Sequence, residues 1–251
     1  MPLSESITEL SLNELVSIFR LLGSRVADEK RPGAVLMGGW AVYSYNRYHG
    51  STDVDILAPN RLRDSLIREL KRSRGYEYRP LEDGEKPQLY RDFESGRVIV
   101  DFINPSEKYP FPGKSDALSH SFIYERLRKA ALGGLTVPVP ERTALLITKL
   151  KAAWDRRIKL DSYTGIPDRA FQEGKIVKDF SDILALIDPG KGGMELDLQF
   201  LDSMLEKHPF LRSVPEECGR SGPAAELYGI RLQESKDMVR RLMGLLSAEK
   251  K

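Results

Sequence analysis

Strand interiors rarely contain aspartate, yet residues 53–58 read DVDILA, with two aspartates in an otherwise apolar run. Successive side chains of a strand point to opposite faces, so Asp53 and Asp55 project together and Val54 projects the other way. Such a strand cannot bury both faces in an apolar core. Two carboxylates held this close repel unless a cation lies between them. Mg²⁺ is a hard ion that takes one or two carboxylates together with substrate phosphate oxygens. The stretch is therefore either a solvated strand edge or a strand whose carboxylate face is completed by a cation and ligand.

A third carboxylate follows in RVIVDFI, residues 97–103, where Asp101 again interrupts an apolar run. If the two strands are neighbours, Asp53, Asp55 and Asp101 form a site for two metal ions. Upstream, Gly38 and Gly39 follow the apolar run AVLM, where a strand is expected to turn into a helix. Glycine there lets backbone N–H groups approach a phosphate. Ser51 and Thr52 add hydroxyl donors. Each feature has a plainer reading: a solvated strand edge for the pair, a structural Asp101, a tight glycine turn, and hydroxyls that only cap a turn.

With 39 basic and 37 acidic residues the formal net charge is +2, which by itself points to neither nucleic acid nor a membrane surface. The 251 residues suffice for one large domain or two smaller ones. Cys218 is the single cysteine, which excludes an internal disulfide and any multi-cysteine metal site. The opening MPLSESITEL has no basic flank or apolar core, so no secretion signal is expected there. No apolar run approaches the roughly 20 residues that span a bilayer. A cytoplasmic protein without a membrane segment is the expectation.

Periodicity divides the chain. Ser11 and Glu14 have capping-box spacing ahead of Leu15, Val16, Phe19 and Leu22, which predicts a helix ending before Pro32. Residues 40–48 and 61–73 read as helices. YEYRPL, QLYRDF and RVIVDFI read as strands, with turns at Asp83-Gly84 and Ser95-Gly96. Residues 104–120 read as a loop, IYERLRKAAL as a helix and LTVPV as a short strand. Beyond Pro140, ERTALLITKLKAAWDRR predicts a helix, 161–175 a loop, and VKDFSDILALI a helix stopped by Pro189-Gly190. The remainder reads as helical with a break at Pro215–Pro223. The expected architecture is α+β: a mixed β-sheet flanked by helices over 1–138, then a helical C-terminal domain over 139–251. Arg61, Arg63, Arg68, Lys71, Arg72 and Arg74 crowd one helix, as a phosphate-tracking patch or as a solvated face interleaved with Asp64 and Glu69. Trp40 and Tyr43 suit either base stacking or packing on the sheet.

The glycine pair, the Asp-x-Asp strand and the later strand aspartate together resemble the nucleotidyltransferase superfamily, whose fold is shared with DNA polymerase β. GGWAVYSY…STDVDIL looks most like the branch of abortive-infection and minimal nucleotidyltransferase toxins and small antibiotic nucleotidyltransferases. That branch has a proline-led helix carrying Lys and then Arg, and later a Lys-Asp-x-x-Asp helix. Matching positions are Lys149, Arg156 or Arg157, Lys178-Asp179 and Asp182. The resemblance covers roughly residues 34–187. It departs at His49, where the branch often has arginine.

The resemblance implies metal-dependent transfer of a nucleoside monophosphate from a nucleoside triphosphate to a hydroxyl acceptor. Asp53 and Asp55 would bind Mg²⁺ (or Mn²⁺) and the triphosphate, and Asp101 would bind the catalytic metal and take the acceptor proton. Gly38, Gly39, Ser51, Thr52 and Lys149 would bind the nucleotide. tRNA, a protein and a small molecule all remain as acceptors. The alternative is a non-catalytic member that binds a nucleotide or a partner such as an antitoxin.

Overall fold

The computed structural model describes residues 5–23, 33–79, 88–160 and 166–248. The chain forms two compact units. The first comprises 1–44, 50–107 and 119–141, and the second 45–49, 108–118 and 142–251.

The first unit is built on a five-stranded sheet. Its strands are β1 (Val35–Leu36), β2 (Asp53–Leu57), β3 (Glu77–Arg79), β4 (Gln88–Phe93) and β5 (Gly96–Ile103), in the order β1-β2-β5-β4-β3. β2 and β5 run parallel, while the other pairings are antiparallel, so the sheet is mixed. The parallel pair needs a crossover, and α3 (Asn60–Arg74) lies on it. α1 (Glu5–Leu22) contributes Leu15, Phe19 and Leu22 to the core, and α2 (Gly38–Tyr43) contributes Trp40. Val54 and Ile56 of β2 and Val98 and Val100 of β5 are buried on one sheet face.

Ser11 and Glu14 do not cap α1, which begins at Glu5. Ser11 is buried in mid-helix and accepts a hydrogen bond from the Trp40 indole at 3.0 Å. Glu14 accepts from the Tyr76 hydroxyl at 2.7 Å. Residues that suit a cap serve here as tertiary anchors.

IYERLRKAAL is not a helix. After a 3₁₀ turn over Ser121–Glu125, β8 (Leu127–Leu132) pairs with β9 (Leu135–Pro140) as an antiparallel hairpin. Its two-residue loop is Gly133-Gly134, both at positive φ (54° and 76°), the backbone that tight hairpins require.

The second unit contains α4 (Arg142–Lys159), α5 (Ile166–Ile187), α6 (Leu198–Lys207), α7 (Ser213–Arg220), α8 (Gly222–Tyr228) and α9 (Leu232–Ala248). Residues 166–175 are helical rather than loop, and residues 104–120 contain two short paired strands, β6 (Lys108–Pro110) and β7 (Ala117–Ser119). The core of this unit includes Leu146, Leu150, Ile183, Leu184, Leu201, Val214, Cys218 and Val239. Phe111, Trp154 and Phe210 pack together beside His208, whose Nδ1 lies 2.5 Å from Asp116 Oδ2. The expected turn at Asp83-Gly84, the stretch before Pro32 and residues 161–165 lie outside the described residues. Among the described residues no helix is long and apolar enough to cross a membrane.

Candidate functional site

β2 alternates half-buried Asp53 and Asp55 with fully buried Val54 and Ile56. In the parallel ladder Asp53 lies opposite Ile99 and Asp55 opposite Asp101. Residues paired across a ladder share a face, with neighbouring strands about 4.8 Å apart. Asp53, Asp55 and Asp101 therefore stand on one face, and Asp101 is half-buried like the other two.

The turn between β1 and α2 adjoins this face. Met37 N–H donates to the Asp55 carbonyl at 2.9 Å. Gly38 follows at φ +63°, where side chains are strained. A Cβ on Gly38 would lie 1.7 Å from Asp55 Oδ2 and 2.5 Å from its Cγ. Glycine is demanded twice here, by backbone conformation and by the carboxylate against it. Gly39 is buried within α2.

The Thr52 hydroxyl donates to Asp53 Oδ1 at 3.1 Å, and the Asp53 N–H donates to Ser51 Oγ at 3.4 Å. Thr52 thus touches the first carboxylate, while Ser51 meets the backbone of the same residue. Among the described residues no group of three or more His, Cys, Asp or Glu side chains is gathered closely enough to hold a metal ion. The register pair Asp55 and Asp101 nevertheless offers the hard oxygen donors that Mg²⁺ or Mn²⁺ takes, one or two carboxylates with the remaining positions left to phosphate and water. The donor chemistry therefore fits a divalent ion.

Lys149 lies in the second unit, in another carboxylate cluster. Its ammonium pairs with Asp179 Oδ1 at 3.2 Å and Asp182 Oδ2 at 2.7 Å. Arg156 also bonds Asp179, and Lys178 bonds Asp182. The Tyr48 hydroxyl donates to Asp182 Oδ1 at 2.5 Å and accepts from Lys178 Nζ at 3.1 Å. Burial alone would raise the Asp182 pKa, but the Lys149 and Lys178 ammonium groups outweigh it and hold it down at about 2. Burial lowers the Lys178 pKa, and burial with the Asp182 charge raises that of Tyr48. The His49 pKa is pushed down by burial and by Lys178, so its cationic form is disfavoured.

Two further members of this unit were invisible to the sequence reading. Asn46 Nδ2 donates to the Tyr228 hydroxyl at 2.6 Å, and that hydroxyl bonds Asp188. Nothing in a lone asparagine and a distant tyrosine signals such a chain, because the partners are 182 residues apart.

No protein-family model matches the sequence, and no curated relative matches it. Solved structures do. The chain is similar to an antigenic nucleotidyltransferase-like protein from Paracoccidioides brasiliensis, at 17% identity over 85% of this chain and 94% of that one, with a TM-score of 0.43. It is also similar to ANT(2″)-Ia, solved in complex with adenylyl-2″-tobramycin, at 14% identity over 67% of this chain and 99% of that one, with a TM-score of 0.34. At these levels the functional reading rests on the site itself.

Proposed function

We propose that the chain is a metal-dependent nucleotidyltransferase that moves a nucleoside monophosphate from a nucleoside triphosphate to a hydroxyl acceptor. The observation that carries this is the parallel register that sets Asp55 opposite Asp101, with Asp53 on the same face and Gly38 against the Asp55 carboxylate. Mg²⁺ or Mn²⁺, when bound, would supply positive charge to the triphosphate oxygens as negative charge builds there. Asp55 and Asp101 would hold the ion, and Asp53 stands on the same face of the sheet. Asp101 would take the proton as the acceptor oxygen bonds the α-phosphorus and pyrophosphate leaves. The Gly38-Gly39 turn would leave room for phosphate beside the carboxylates. tRNA, a protein hydroxyl and a small molecule remain the acceptor classes.

Incubation with each labelled triphosphate and Mg²⁺ or Mn²⁺ tests the reading through pyrophosphate release or self-modification. Asp101→Asn is expected to lower the rate at least about 100-fold, the scale of losing a proton acceptor. An unchanged rate in that variant, or no triphosphate binding by the wild-type protein with either metal, overturns it.

The absence of a closely gathered trio among the described residues favours a second reading: a non-catalytic nucleotide binder or a component that pairs with a partner protein such as an antitoxin. Triphosphate binding without turnover by any acceptor class would select it.

A further inference from the structure

α3 carries Arg61, Arg63, Arg68, Lys71, Arg72 and Arg74 against Asp64 and Glu69, a net charge of +4 in a chain whose total is +2. The rest of the chain is thus net −2; α4 carries a larger net charge, +5, but its Arg142, Lys149 and Lys151 are buried. Two of the six cations are engaged locally, Arg63 with Asp64 at 3.0 Å and Arg72 with Glu69 at 2.9 Å. Arg61, Arg68 and Lys71 are exposed, and none of them makes an ion pair among the described residues.

At 3.6 residues per turn, Arg61, Arg68 and Arg72 fall within about 20° of a common line, opposite buried Leu66 and Leu70, with Lys71 beside them. From Arg61 to Arg72 the helix rises about 16 Å, close to five base steps at about 3.4 Å each. The outward face consists of Arg61, Asp64, Ser65, Arg68, Lys71 and Arg72, with no apolar side chain.

That composition decides among partners. A protein interface has an apolar or aromatic centre. A helix lying in a membrane surface needs an apolar face toward the acyl chains. Single-stranded nucleic acid is held by stacking on aromatic rings. The backbone of a duplex asks only for spaced cations, and arginine forks bond phosphate oxygens in pairs. We infer that α3 is a docking surface for the phosphodiester backbone of a nucleic-acid duplex, read without regard to sequence. The inference does not depend on the nucleotidyltransferase reading, since it concerns only the outward face of α3.

The test uses the full chain and two fluorescent blunt duplexes of about 16 base pairs, one RNA and one DNA, followed by anisotropy across a salt series. The compared variant is Arg61→Ala, Arg68→Ala, Lys71→Ala. Alanine favours helix, so α3 is retained, and circular dichroism checks it. The wild type is expected to bind at about 50 mM salt, and the variant at least about tenfold more weakly. The slope of log affinity against log salt should fall by about 2–3, close to one per lost contact. Equal affinity for both duplexes identifies the shared backbone as the ligand, and a tenfold preference for one identifies that nucleic acid as the source. The inference is overturned if neither duplex binds, if the triple variant matches the wild type, or if Arg220→Ala, Lys236→Ala weakens binding equally. Displacement of the duplex by polyglutamate at equal charge also overturns it, in favour of an acidic protein. Asp101→Asn is expected to keep full duplex affinity, which separates failure of this inference from failure of the catalytic reading.

Discussion

Among the described residues, two sets of carboxylates differ in how deeply they are buried. In the second unit, Asp182 is fully buried, with Lys149, Lys178 and the Tyr48 hydroxyl drawn around it, and Asp179 faces Lys149 and Arg156. In the first unit, Asp53, Asp55 and Asp101 share a half-buried sheet face, and the neighbour pressed against Asp55 is a glycine. A buried carboxylate must have its counter-charge built in, because the interior cannot solvate it. On a half-exposed face the same chemical group can serve a ligand from solution. The type of residue is shared; the depth and the neighbours set the role.

Removing a built-in counter-charge should have the largest effect. Lys149→Met leaves Asp179 and Asp182 with one buried cation fewer, and the expected loss is about 3–5 kcal/mol in denaturant unfolding. A loss below about 1 kcal/mol would erase the contrast, since the second cluster would then tolerate an unmatched charge as a surface does.

Acid offers a milder probe of the same cluster. The folded pKa of Asp182 is about 2, below the ordinary carboxylate value. A depressed folded pKa stabilises above the unfolded pKa, near 3.9, and that stability is lost as pH falls toward 2. The contribution is on the order of 2 kcal/mol. The wild-type protein should therefore lose stability relative to Asp182→Asn between about pH 5 and pH 2. Parallel acid limbs in the two proteins would remove the assignment.

A comparable or smaller effect is expected on the half-buried face. Gly38→Ala introduces a Cβ at positive φ and against Asp55 Oδ2, at a cost of about 1–3 kcal/mol. Part of that cost belongs to the carboxylate, so Asp55→Ala should recover about 1 kcal/mol in the double variant. Strict additivity would mean that only the backbone angle matters at Gly38.

Much of the first unit can be read from period and punctuation. Two aspartates two apart on a strand had to share a face, and Gly38-Gly39 marked the strand-to-helix turn. The partnership of Asp55 with Asp101 was not readable in the same way. It depends on the register of a parallel pair joined through α3, β3 and β4, and no local signal sets that register. The reading of residues 123–132 as helix followed the helix-forming Leu, Arg, Lys and Ala, while the decisive signal stood just downstream in Gly133-Gly134. Ser11 and Glu14 misled because hydroxyl and carboxylate groups serve caps and buried tertiary bonds equally well. In the second unit, the pattern of Lys149, Lys178, Asp179 and Asp182 was visible on two helices, but the tie from Asp182 to Tyr48 was not. The string of cations on α3 was legible outright, whereas which of them are locally engaged needed coordinates.

The placement of Tyr48 in the second unit also sets a clock. Tyr48 precedes its partner Asp182 by 134 residues. At about 5–20 residues per second of synthesis, it waits roughly 7–27 s for that carboxylate to exist. Residues on both sides of 45–49 belong to the first unit, whose last segment, 119–141, is synthesised before Asp182 exists.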